Sequence, residues 1–114
     1  MPSDNFQVYI DAVREKWRYL RDYMAIAREV KNEAEAFFPR VYVFGSSVTG
    51  TQTASSDIDI LMVTSKELHV DIQTDIKTRV FRKIGLFTPV EIHFATVEQF
   101  EGWYKRFMDK YIEV

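Results

Sequence analysis

At 114 residues, 46% of them hydrophobic, the chain has room for one domain with a sizeable core. It contains no cysteine, which excludes disulfide staples and thiolate metal sites. Its 15 basic and 17 acidic residues leave a net charge of −2, a balance that argues against nucleic-acid binding, whose footprint is a basic face.

Residues 4 to about 36 are predicted as a long amphipathic helix. Phe6, Tyr9, Val13, Trp17, Leu20, Met24, Ala27 and Ala34 recur at steps of three, four or seven. Ser3 or Asp4 caps its start, Pro39 ends it, and a break is expected near Asn32. The length exceeds that of an ordinary globular helix and carries an apolar stripe towards a partner. Val41-Tyr42-Val43-Phe44 reads as a strand ending at Gly45. A short helical turn is expected within 49–54. Ile58 to Val63 forms a second strand, and 67–84 a third helix with Leu68, Ile72, Ile76, Val80 and Ile84 in step and Gly85 as its stop. Val90 to Ala95 is a third strand, with Pro89 marking its start or an edge. A last helix opens at Thr96 with Gln99 as its capping box and Phe100, Trp103, Phe107 and Tyr111 as its stripe. Those aromatics read as core or interface rather than as a shelf for a base. The order predicts a single α/β (α+β) domain over 1–114, a small mixed sheet of three or four strands packed with helices.

The chemistry gathers in 45–59: Gly45-Ser46, ten residues, then Asp57-Ile58-Asp59. A glycine-bearing turn after a strand presents backbone N–H groups and a hydroxyl to phosphates. Two aspartates at i and i+2 of a strand share a face, where they hold a hard divalent cation. On the third strand Glu91 and His93 fall on one face and Val90, Ile92 and Phe94 on the other. Glu91 is therefore the candidate third acid. His93 is the weaker candidate, since a packed or solvent-facing histidine is the common case.

This pattern resembles the minimal nucleotidyltransferases of the DNA polymerase beta-like nucleotidyltransferase superfamily, single small domains with a Gly-Ser-x10-Asp-x-Asp signature. The resemblance spans most of the chain. It implies the nucleotidyltransferase fold, nucleotide binding at Gly45, Ser46 and Ser47, and a magnesium site made by Asp57, Asp59 and Glu91, which are also the catalytic residues. ATP is the implied substrate. The chain departs from the pattern in two places. Ser47 and Val48 follow Gly-Ser where many relatives have an arginine, and Glu91 stands where aspartate is commoner.

The family also implies an acceptor. Stand-alone members are commonly antitoxins that add AMP to a tyrosine of a small helical HEPN-type toxin. Two rivals stay open: transfer to a small molecule, and neutralisation of a partner by contact alone. The residues leave the acceptor, the base and the homo- or hetero-oligomeric state undecided. Met1 to Asn5 has neither a basic nor an apolar leader region, and no run of about 18 apolar residues occurs, so a cytoplasmic protein without a membrane span is expected.

Overall fold

The computed structural model describes residues 2–53, 56–86, 88–108 and 110–114, with side chains from residue 5 onward. The expected caps Ser3 and Asp4 thus have side chains outside the described residues. Two helices open the chain, α1 (Pro2–Arg21) and α2 (Tyr23–Ala34). The junction is Asp22, with φ −97° and ψ 27°, and not Asn32. Aspartate is a poor interior helix residue, whereas Asn32 is carried within α2 by the burial of Val30 and Ala34 around it.

Strand β1 (Arg40–Phe44) leads through Gly45 into the one-turn helix α3 (Ser46–Thr49). The turn therefore begins directly at the glycine, ahead of the 49–54 expected, and Gly50 closes it in the left-handed region at φ 77°. Then come β2 (Ile58–Thr64), α4 (Val70–Ile84) and β3 (Val90–Thr96). Helix α4 starts later than the 67 expected because His69 is its cap, its Nδ1 accepting from the Asp71 N–H at 3.2 Å.

The last helix opens as its capping box requires. The Gln99 N–H donates to Thr96 Oγ1 at 3.1 Å, and the Thr96 N–H donates to Gln99 Oε1 at 3.0 Å. The segment runs from α5 (Val97–Gln99) through a π-turn (Phe100–Tyr104) into α6 (Lys105–Phe107). Glycine at 102 is a weak helix former, and a widened turn is tolerated there. Tyr111 is not on this helix. It opens a fourth strand, β4 (Tyr111–Glu113), because pairing with the edge of β1 sets its ring against Tyr42 at 5.6 Å and Phe100 at 6.0 Å. Of the expected stripe only Phe100 is core; Trp103 and Phe107 are exposed and lie on each other at 4.5 Å.

The sheet is mixed and four-stranded, in the order β3-β2-β1-β4. Strands β2 and β3 are parallel, and α4 supplies the crossover that parallel pairing requires. The other two pairs are antiparallel. Alternation splits the side chains between two layers. Val41, Val43, Ile58, Ile60, Met62, Val90 and Ile92 pack under α2 and α4 with Leu20, Val30, Ile76 and Val80. Tyr42, Leu61, Val63 and Ala95 face the other way, under Phe100 and Met108. Strand β2 is buried on both faces from Ile60 onward, as a central strand should be. Only its first outward residue, Asp59, escapes full cover. Among the described residues no helix is long and apolar enough to cross a membrane.

Candidate functional site

On the face away from α2 and α4 the register forms rows across the sheet. Phe44, Asp59 and Glu91 make one row; Tyr42, Leu61 and His93 make the next. The C-terminal segment covers the rows beyond, so the acids emerge where that cover stops. A carboxylate deep under it would pay a large desolvation cost. Asp59 keeps 24% of its side chain exposed and Glu91 56%.

The structure brings Asp59, Glu91 and His93 together, with one ligand atom from each all within 4.8 Å of one another. His93 Nε2 lies 3.5 Å from Asp59 Oδ1 and 3.8 Å from Glu91 Oε1. The Phe44 ring sits 5.4 Å from the imidazole and walls one side of the group. The hydrogen bond to Asp59 raises the His93 pKa above its ordinary value, with Glu91 adding to the effect and burial opposing it. Two carboxylates and an imidazole on one open face are a fitting donor set for a divalent cation. His93 was assigned the weaker role from sequence, although the alternation that exposes Glu91 places it on the same face.

The His93 shift has a measurable consequence. Its titration, followed by NMR of the ring protons in metal-free protein, will fall above 6.5 and drop towards that value in Asp59→Asn. The linked stability is present below the unfolded value of 6.5 and is lost as pH rises through the raised folded value.

Gly45 connects this group to the turn. Its φ is 83° and ψ −158°, a region that only glycine occupies comfortably. A Cβ there would overlap Asp59 Oδ2. The turn and the acid therefore touch through the missing side chain. Gly45 accepts from the Val48 and Thr49 N–H groups at 3.1 and 3.2 Å. The N–H groups of Ser46 and Ser47 precede these first intrahelical donors and stand at the open end of the turn. The Ser46 side chain is half-buried.

Ser47 turns the other way. It is buried, and its Oγ accepts from Gln52 Nε2 at 3.0 Å. The same amide nitrogen donates to the Leu20 carbonyl at 2.9 Å. Gln52 thus ties the loop after β1 to the end of α1, and position 47 offers a phosphate only its backbone. Gln52→Ala removes both bonds in a part-buried setting. It should destabilise the fold by about 1–3 kcal/mol, read from urea unfolding midpoints; an unchanged midpoint would show that the loop is held otherwise.

Asp57 lies outside the group of three. It is exposed, one residue before β2 begins, so strand alternation does not fix its direction. It borders a cleft with Ala12, Glu15, Lys16 and Tyr19 of α1 and with Pro89.

The profile of the nucleotidyltransferase domain family matches residues 24–112. Among solved structures, a Sulfolobus solfataricus protein assigned as a nucleotidyltransferase superposes with a TM-score of 0.55 at 25% identity, covering 90% of this chain and 84% of that one. A second protein with the same assignment gives 0.49 at 28% identity, over 82% of this chain and 98% of its own. A toxin–antitoxin structure with AMP-PNP gives 0.46 at 22% identity, over 60% and 56%. No curated protein matches the chain.

Proposed function

The chain belongs to the nucleotidyltransferase domain family, and on that premise we propose that it moves AMP from ATP to a hydroxyl of a partner protein with the help of magnesium. The observation that carries this reading is the meeting of Asp59 and Glu91, opposite each other on β2 and β3, with the Gly45 turn packed against Asp59. A triphosphate laid along that turn has its α-phosphorus beside the two acids.

The roles divide as follows. Ser46 Oγ and the N–H groups of Ser46 and Ser47 hold the β- and γ-phosphates. Asp57, Asp59 and Glu91 hold the divalent cation, and His93 stands within reach of the same position. A bound cation neutralises charge on the triphosphate and makes the acceptor hydroxyl more acidic. The acceptor oxygen forms a bond to the α-phosphorus while the bond to the bridging oxygen of the β-phosphate breaks. Pyrophosphate leaves, and the hydroxyl proton passes to solvent water. Positioning and charge neutralisation supply the acceleration.

The acceptor follows from the resemblance to the minimal nucleotidyltransferases: a tyrosine on a small helical HEPN-type toxin, with this chain as its antitoxin. Incubation with α-labelled ATP, magnesium and a small helical HEPN-type protein tests it. Mass spectrometry is expected to find one added AMP on a tyrosine, absent with Asp59→Asn. A partner silenced equally by Asp59→Asn, without label, would replace transfer by neutralisation through contact. Label on an added small alcohol but on no protein would point to a small-molecule acceptor.

A further inference from the structure

Helix α1 lies ahead of the residues that the family profile matches. At 1.5 Å per residue its 20 residues span about 30 Å, and the molecule measures 54 × 29 × 20 Å. Its inner end belongs to the core: Leu20 is fully buried, and Trp17 and Tyr19 pack against the same cluster. Its outer end does not. Phe6 is 64% exposed and Tyr9 65%, with Ile10 and Val13 half-buried.

Five apolar positions of α1 follow one spacing along its length, with Val8, Tyr9, Ala12 and Tyr19 lying off it. Phe6, Ile10, Val13, Trp17 and Leu20 are separated by four, three, four and three residues, the alternation of a coiled-coil seam. The inner part of this seam is filled by the protein itself. The outer part, Phe6, Ile10 and Val13, carries the same pattern past the domain.

The residues beside the seam have one sign. Arg14 and Arg21 flank it on one side and Lys16 on the other, and no acid occupies a flanking position. None of the three takes part in an ion pair among the described residues. A shallow trough beside the seam is lined by Trp17, Arg14 and Arg21 and, further from the seam, by Asp11, Glu15 and Arg18, of which Glu15 and Arg18 pair with each other. Two copies of this helix laid in parallel would bring Lys16 towards Arg21, like charge against like. Flanking charges decide partner choice in such seams.

We infer that the outer half of α1 is a docking helix for a different protein, and that its occupant is an amphipathic helix with a heptad apolar seam flanked by Asp and Glu. The inference stands apart from the transfer reading, since docking is measured without nucleotide.

Two labelled 21-residue peptides of identical leucine–isoleucine seam, one with glutamate and one with lysine at every flanking position, provide the test. Fluorescence anisotropy against the intact chain is expected to show micromolar binding of the glutamate peptide and at least tenfold weaker binding of the lysine peptide. Phe6→Ser with Val13→Ser, both at positions short of full burial, weakens the glutamate peptide at least tenfold while circular dichroism stays unchanged. Arg14→Glu with Lys16→Glu reverses the preference between the peptides. No binding of either peptide, or equal binding of both, would overturn the proposal. So would sedimentation of the parent chain as a dimer that Phe6→Ser with Val13→Ser converts to a monomer, since the occupant would then be a second copy.

Discussion

Asp59→Asn will lower the rate of AMP transfer by about a thousandfold while leaving the fold intact. The size follows from the kind of interaction lost. A cation held against a transferring phosphoryl group contributes several kcal/mol, and about 4 kcal/mol corresponds to three powers of ten in rate. Asparagine keeps the shape and one oxygen but removes the charge that gathers the cation and holds His93. The fold survives because Asp59 is partly exposed, and its carboxylate bonds to His93 rather than to the core. Asp57→Asn should cost less. It lies one residue before β2 and outside the group of three, so its hold on a cation is the weaker of the two. Initial rates of labelled pyrophosphate release, with Tm recorded for each variant, decide the matter. A fall in Asp57→Asn as large as that in Asp59→Asn would give the two aspartates equal roles. A full rate in Asp59→Asn would remove the site from β2 altogether.

The part of this arrangement that rests on strand alternation was legible in the sequence. Gly45 at the end of one apolar run, and Glu91 between Val90 and Ile92 in another, landed where period two puts them, and Asp59 met Glu91 across a parallel pair. The same argument puts His93 on that face, but its closeness to Asp59 is not legible, because a lone histidine carries no sign of its neighbours until the strands are paired. Asp57 shows the converse. Alternation was extended one residue past the point where the strand exists. Local pattern also failed at Asp22, where a long stripe hid a change of direction, and at Tyr111, whose spacing from Phe107 is helical. The three residues of β4 are too few to announce a strand; pairing with β1 and the rings of Tyr42 and Phe100 decide their conformation. Tertiary contacts of that kind override local propensity.

Gly45→Ala is expected to be the most damaging single-methyl change in the molecule, and for two separable reasons. The first is conformational. At φ 83° and ψ −158° a residue with a Cβ carries a strain of about 1–3 kcal/mol. The second is steric, because the added methyl overlaps the Asp59 carboxylate. One of the two must move, and either movement separates the phosphate turn from the acid. Transfer should therefore fall about as far as in Asp59→Asn. Unlike that variant, Gly45→Ala should also lower Tm, by roughly 4–8 °C for each kcal/mol lost in a domain of about 100 residues. A double-mutant cycle separates the causes. Asp59→Ala removes the carboxylate that the methyl meets, so Gly45→Ala should cost less stability in that background than in the parent, by about 1 kcal/mol or more. Strict additivity would leave backbone strain as the sole cost and would deny the contact between turn and acid. Transfer should not return in the double variant, since relieving the overlap restores the fold of the turn without restoring the charge that the reaction uses.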